Sequence, residues 1–487
     1  MVFADLFFIY FFLPLCLICY FLTRKTQIRN CVLIAFSLVF YAWGEPVWVC
    51  MLIGYSLLNY LTGLIIEKFR GKPGSKAALA FSLMVDIGVL GVFKYSGFIA
   101  ENINALLGTA IKIPEIALPI GISFYTFQTI SYSLDCYWGK VEAQKSFAKF
   151  LLYVSMFPQL VAGPIVRYST IAQEIDSRKT TAKDLSDGFS RIILGIGKKV
   201  IIANNLNSVV TACFGTSDNG YEAVKTLSVF GTWYGAVLVA LWYYFDFSGY
   251  CDIAAGSARL LGLRLPRNFN APYRSLSVGE FWKRWHITLT SFLRECVYFP
   301  LGGSRKGAGR TYLNILVIFL VSGFWHGAGW TFLVWGALHG LGQVAERAWG
   351  PGRDRLPAGV QWLLTFAFVN VAWVFFRAPD LTSAGELLTA AVTGGLSKPE
   401  PWLVESLFSK EVSALELLAP AIHPWVNILR VAVLYGAGVL AALWPRNVQQ
   451  RMDTFRPTVP LALGLGLLTV WCVLSFSGVT TFIYSNF

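Results

Sequence analysis

An all-α polytopic membrane protein is the fold class this sequence predicts, and three observations carry that reading. Of 487 residues, 55% are hydrophobic, 16% aromatic and only 14% charged. A water-soluble domain carries about 25% charged residues, and one of this length could not bury so much apolar surface. The apolar residues fall in long runs, many reaching the roughly 18 residues that a spanning helix needs. The basic residues, 40 against 27 acids, lie in short segments between those runs. The net charge of +13 therefore reads as the positive-inside pattern of a cytoplasmic membrane, and nucleic acid is not an expected partner.

In chain order, spans are expected over residues 6–22, 30–46, 47–65, 77–99, 118–138, 189–210, 226–249, 311–348 (as two short helices), 359–376, 426–445 and 459–481. The first run lacks a basic leader and a small-residue cleavage site, so it reads as a retained helix with its N-terminal end outside. Arg24, Lys25 and Arg29 then lie inside, Gly44-Glu45-Pro46 turns outside, and Lys68, Arg70, Lys72 and Lys76 lie inside again. Segment 101–117 is outside. Parity breaks next, because Lys140, Lys145 and Lys149 look internal, as do Arg178, Lys179, Lys183 and Arg191, yet the apolar run 147–166 separates them. That run contains FPQLVAGP, including Gln159, and Pro and Gly interrupt a helix at membrane depth only where protein or a water cavity covers the freed backbone. A re-entrant segment is the expectation.

Residues 256–310 form the most basic loop and are expected in the cytoplasm. Trp282, Trp285 and Phe292 have helical spacing, so 278–294 reads as one amphipathic helix at the inner interface, with His286 on it. Its cations, with Asn268 and Arg294 nearby, suit either an anionic donor bound at Lys283 and Arg284 or lipid head groups. Upstream, YFDFSGYCDIAAG places Asp246, Ser248 and Asp252 near the inner end of the 226–249 span. Such acids could orient a histidine or bind a cation, or they could cap a helix or pair with arginine. The segment 378–424 is acidic and reads as external, and 349–487 supplies the C-terminal spans and tail. The nine cysteines lie mostly in apolar runs and imply neither a disulfide framework nor a metal site.

Only four histidines occur, and two of them, His326 and His339, lie in SGFWHGAGWTFLVWGALHG. An ionisable residue at membrane depth is a functional candidate, and neutral imidazole exchanges a proton near pH 7. His326 is fifteen residues beyond Thr311, roughly 22 Å along a helix, which is short of a ~30 Å hydrocarbon core. It should sit within the membrane, where Gly323, Gly327 and Gly329 permit close backbone approach. The bland reading is a buried histidine satisfied by a carbonyl. His423, beside Pro424, reads as a surface residue.

Taken with IGISFYTFQTISYSLDCYWG, FPQLVAGPIVR and RNFNAPYRSLSVGEFWKRWHITLTSFLRECVYFPLGG, these blocks make the chain resemble the membrane-bound O-acyltransferase family over residues 1–376. The likeness is to the bacterial branch that acetylates polysaccharides such as alginate, peptidoglycan or cellulose. It implies a single membrane domain over 1–487, with 1–138 as N-terminal spans and 139–348 as catalytic core. The implied fold is a ring of about 11–13 tilted helices with re-entrant segments and a central tunnel. By the same resemblance, His326 is the catalytic base and His286 the second characteristic histidine, positioning donor or product. No metal and no tightly bound cofactor is implied; acetyl-CoA is the donor. Phe482, Tyr484 and Phe487 keep the spacing of an F-x-Y-x-x-F signature seen in related systems, while Ser485 and Asn486 depart from it. Tyr484 is thus an acyl-acceptor candidate, with an interfacial aromatic belt as the other reading.

The expected function is transfer of acetyl from cytoplasmic acetyl-CoA across the inner membrane to an extracytoplasmic polysaccharide. A separate periplasmic SGNH-type O-acetyltransferase would complete it, alongside membrane lipid and a polysaccharide synthesis or export complex. Direct acylation of a lipid or protein is the alternative within the enzyme class. A transporter or flippase without bond-making, or a scaffold, are the alternatives outside it.

Overall fold

A computed structural model describes residues 3–112, 116–161, 163–214, 226–398, 400–405, 410–426, 435–444, 447–453 and 458–476. No β-strand occurs among them. Among the described residues five helices are long and apolar enough to cross a membrane: Thr26–Gly44, Trp48–Lys68, the continuous Pro73–Leu107, Ala308–His326 and Ala358–Arg377. Phe8–Phe21 and Val459–Ser475 are shorter apolar helices. Packing groups the chain into two compact units.

The first unit comprises residues 1–192, 251–267 and 291–300. Its helices are α1 (Leu13–Phe21), α2 (Thr26–Gly44), α3 (Trp48–Lys68), α4 (Pro73–Leu90), α5 (Ser96–Leu107), α6 (Ile122–Tyr137), α7 (Phe147–Ser155), α8 (Phe157–Leu160) and α9 (Tyr168–Asp176). α3 packs on α4 and α6, and α2 packs on α7. Phe3, Phe8, Phe12 and Phe40 close around Phe157 at ring separations of 5.4 to 6.5 Å. Asn59, Ser82 and Asp86, buried polar side chains between apolar helices, satisfy one another. The Asn59 amide donates to Asp86 Oδ1 at 3.0 Å, and Ser82 Oγ donates to Asn59 Oδ1 at 3.0 Å. With no water in the bilayer to solvate them, such groups must find one another.

The segment behind the parity break has a simple geometry. α7 and α8 have nine and four residues. At 1.5 Å per residue, even α7 covers only about 14 Å, so neither can cross a hydrocarbon core. Gly163 follows where a Cβ would come within 2.6 Å of Gln159 Cα, so the chain folds back there on its own backbone. The 101–117 connection is shorter than the sequence indicates, because α5 runs to Leu107.

Three helices follow in the chain, α10 (Ala182–Ile196), α11 (Asn204–Phe214) and α12 (Val229–Leu260), and the division between the units falls within α10 and α12. α12 outruns the expected 226–249 span and takes the start of the basic segment into helix. Within the first unit, its last turns meet α10 closely. A Cβ on Gly256 would come within 2.8 Å of the Gly188 carbonyl. Around that contact Arg191 Nε pairs with Asp252 at 3.0 Å, and Arg259 Nε with Asp184 at 2.9 Å. Several cations expected to face the cytoplasm therefore cross-link two helices.

The second unit comprises 193–250, 268–290 and 301–487. It contains α13 (Val278–Arg284), the start of α14 (Ile287–Leu293), α15 (Ala308–His326), α16 (Trp330–Trp349), α17 (Ala358–Arg377) and α18 (Leu381–Thr393). The expected single amphipathic helix over 278–294 is corrected here. It is two short helices broken at Trp285 and His286, and Trp282, Trp285, His286 and Phe292 are buried instead of lying on an interface. The break has a long-range cause, because the backbone N–H of Ile287 donates to the Asn268 carbonyl at 2.9 Å and that of Asn270 to the Arg284 carbonyl at 2.8 Å.

α15 and α16 form a hairpin joined by Gly327-Ala328-Gly329. A Cβ on Gly323 would stand 2.3 Å from the Phe332 carbonyl, and one on Gly336 would stand 2.3 Å from that of Phe319. At Gly327 it would strike the Phe332 ring at 2.1 Å, whereas Gly329 has ordinary space. Small residues at a helix crossing are how membrane helices gain close van der Waals contact. Gly323→Ala and Gly336→Ala should each cost about 1–3 kcal/mol through overpacking, read as a lowered melting temperature in detergent. Gly309→Ala, where a Cβ meets nothing within 4 Å, should leave it unchanged. Equal melting temperatures for all three would refute the tight crossing.

Candidate active site

His326 is the last residue of α15, and its position follows from that helix's length. Nineteen helical residues carry it roughly 28 Å from Ala308. It is 3% exposed. Its Nδ1–H donates to the Ser322 carbonyl, one turn back, at 2.7 Å. A carbonyl can only accept, so this partner assigns a proton to Nδ1, and in the neutral ring the lone pair is then on Nε2. The carbonyl-satisfied histidine foreseen as the bland reading is therefore present at one nitrogen, and the same bond orients the other.

Aromatic rings build the walls. Trp325, Trp335 and Phe376 stand edge-on to the His326 ring at 4.7, 4.8 and 5.3 Å. Trp335 is fully buried and lies 6.2 Å from Trp373 of α17. These rings exclude water and present no competing base. Trp325 also lies 6.2 Å from the His286 ring, so both imidazoles flank one indole.

His286 is fully buried in the break between α13 and α14. Its backbone is in the left-handed region, φ 43°, a conformation a non-glycine residue keeps only when its surroundings hold it. Asn268 Oδ1 lies 3.1 Å from His286 Nδ1, and Phe247 meets the ring edge-on at 5.0 Å. Nε2 has no hydrogen-bond partner among the described residues. Burial first, and His326 second, hold its pKa well below the usual imidazole range, so the ring is neutral at physiological pH.

His339 occupies a different setting. Trp282 Nε1–H donates to its Nδ1 at 3.1 Å, so this imidazole carries its proton on Nε2. Phe281, Phe319 and Phe368 enclose it at 5.6 to 6.2 Å. α13 is held against α16 from the other end as well, since Glu346 accepts from the backbone N–H groups of Val278 at 2.7 Å and Gly279 at 3.1 Å. That carboxylate satisfies the otherwise orphaned first turn of α13.

The basic and acidic candidates separate by environment. Lys283 and Arg294 are exposed. Arg284 is half-buried and pairs with Glu280 at 2.7 Å, also donating to the Asn270 carbonyl at 3.2 Å. Asn268 is not on a solvent-facing vestibule; it is buried beside His286. In the first unit Gln159 is buried, and its amide donates to the Tyr153 carbonyl. Asp246 and Lys199 form an ion pair in which both are buried, and Lys198 Nζ reaches Ser248 Oγ at 3.5 Å. The cation Asp246 holds is thus an ammonium, as the cation Asp252 holds is the Arg191 guanidinium. Among the described residues no group of three or more His, Cys, Asp or Glu side chains is placed to hold a metal ion. Tyr484, Phe482 and Phe487 lie outside the described residues, and so does the side chain of His423.

Sequence reasoning missed Lys199, although a lysine inside the apolar 189–210 run is the signal that marks a paired membrane residue. It also missed the cage of Trp335, Trp373 and Phe376, for which no local signal exists.

Comparison with known proteins identifies the family. The model of the membrane-bound O-acyltransferase family matches residues 143–379, which include both site histidines. The chain is 37% identical over 426 residues to the probable alginate O-acetylase of Pseudomonas putida, covering 86% of this chain and 84% of the relative. It is 35% identical over 420 residues to the peptidoglycan O-acetyltransferase of Helicobacter pylori, covering 79% and 78%. A more distant likeness, 24% over 277 residues, is to the teichoic acid D-alanyltransferase of Bacillus subtilis, covering 53% and 68%. With a relative this similar over most of both chains, the chain belongs to the membrane-bound O-acyltransferase family and is a multi-pass membrane O-acyltransferase.

Proposed function

We propose that this O-acyltransferase is an acetyltransferase of the bacterial inner membrane. It takes acetyl from cytoplasmic acetyl-CoA and delivers it across the membrane for O-acetylation of an extracytoplasmic polysaccharide. The observation that carries the reading is the His326 imidazole, buried, anchored by Nδ1–H and carrying its lone pair on Nε2. The names of the alginate and peptidoglycan relatives support acetyl as the group and a polysaccharide as its destination.

In this reading Nε2 of His326 takes the proton of an acceptor hydroxyl as its oxygen attacks the thioester carbonyl. The new C–O bond forms, the C–S bond breaks, and the proton passes to the departing CoA sulfur. The aromatic walls keep water from competing as acceptor. Lys283, exposed on α13, suits the phosphates of the donor. Tyr484 is the first acceptor on the outer side, and a separate periplasmic SGNH-type transferase moves the group from there to the glycan.

His326→Ala should lower both CoA release from acetyl-CoA and glycan acetylation by about 10²–10⁴-fold, with the melting temperature retained. Acetylation at the parent rate in a folded variant would remove His326 from the chemistry. Purified parent protein that releases no CoA and forms no acetyl-protein would instead favour transport without bond-making. Tyr484→Phe should abolish labelling of the chain by radioactive acetyl-CoA and stop glycan acetylation. Unchanged labelling in that variant would make Tyr484 a membrane-anchoring residue.

A further inference from the structure

We infer that Asn268 is a positioning residue that fixes the proton of His286 on Nδ1, so that His286 offers a substrate the lone pair of Nε2 and accepts a hydrogen bond from a substrate N–H or O–H. The group that His286 binds rests on the acyl-donor reading above; the tautomer does not.

Thr288 identifies the Asn268 atom that faces His286. Its backbone N–H reaches the same Asn268 atom as His286 does, at 3.3 Å, and its hydroxyl reaches that atom at 2.9 Å. A backbone N–H can only donate, so the shared atom is the carboxamide oxygen and not the nitrogen. That oxygen bears no hydrogen, and His286 Nδ1, 3.1 Å away, must therefore bring the proton. A neutral imidazole has a single N–H, so Nε2 is bare. Nε2 is also fully buried and unpartnered among the described residues, a cost that a native protein rarely carries without a use for the group.

Asn268 is itself held. Its carbonyl accepts from the N–H of Ile287 at 2.9 Å, and two residues on, the N–H of Asn270 donates to the Arg284 carbonyl. Asn447 braces the same segment, with its amide on the Phe269 carbonyl at 2.9 Å and on Asn270 Oδ1 at 3.2 Å. These bonds hold His286 at its positive φ and keep its ring between Phe247 and Trp325.

The chemical consequence is specific. Acyl transfer needs hydrogen-bond donors at the developing oxyanion. A bare nitrogen cannot donate, so His286 in this form is no oxyanion donor. It selects instead a hydrogen-bearing group, such as an amide N–H of the donor's pantetheine arm or the hydroxyl of the acceptor.

The test is nitrogen-15 NMR of the full chain in detergent, labelled at its four histidines, with His286 assigned by its disappearance in H286N. The expected result is a protonated-type shift for Nδ1 and a bare-type shift for Nε2. Asn268→Ala should mix or invert the two, while the signals of His326 and His339 stay in place to report an intact fold. Thr288→Val, which keeps the backbone donor, should leave the tautomer as it is. A bare Nδ1 in the parent protein, which requires no variant to fold, would overturn the proposal, as would an unchanged His286 spectrum in folded N268A. On adding acetyl-CoA, the Nε2 signal should move toward the protonated range. Movement of His326 without His286 would overturn the acceptor role. If neither moves, the acetyl-CoA reading fails while the tautomer result stands.

Discussion

The backbone-to-backbone approach of α15 and α16 at Gly323 and Gly336 is the constraint on which the site rests. Each glycine sits where a Cβ would stand 2.3 Å from a carbonyl of the other helix. His326 follows Gly323 by less than one turn, and Trp335 and His339 bracket Gly336. Closing the hairpin therefore brings Trp335 of α16 within 4.8 Å of His326 of α15. Any separation of the two helices would open the aromatic wall before it disturbed either helix.

Electrostatics explains which groups are left available. A buried charge is tolerated only when paired, and the cost of leaving one alone is several kcal/mol. Lys199 with Asp246 and Arg191 with Asp252 obey that rule and are thereby occupied by each other. Neutral imidazole carries no such penalty, so histidine can be buried with one nitrogen unspent. His286 and His326 use Nδ1 on an oxygen, whereas His339 uses its Nδ1 as acceptor for an indole N–H. Three histidines in one unit thus hold two different proton arrangements, each set by one neighbour.

Much of the fold is visible in the chain. The apolar runs at 30–46, 47–65 and 359–376 fall on α2, α3 and α17, and the paired helices expected within 311–348 are α15 and α16. Charge parity correctly marked 147–166 as unlike its neighbours, and α7 and α8 are both too short to span. The 278–294 stretch misled for a physical reason. Its aromatic spacing is helical and it holds neither Gly nor Pro after Gly279, so nothing local signals a break. The break comes from backbone hydrogen bonds to Asn268 and Asn270, 14 to 19 residues earlier, which outcompete one turn of helix. The same stretch read as interfacial because periodicity cannot tell an interfacial face from a buried one.

Composition and hydropathy were enough to decide that this is a helical membrane protein, and the resemblance of its motif blocks pointed to the O-acyltransferase family, with His326 and His286 as candidates. Those properties are set along the chain, one residue or one turn at a time. Only the tertiary structure decided which nitrogen of each imidazole holds its proton, which acids are already neutralised, and that Asn268 belongs beside His286 instead of in a solvent-facing vestibule. The reason is that each of those outcomes depends on a partner brought in from elsewhere in the chain. A proton's position on a ring is chosen by the one atom that faces it.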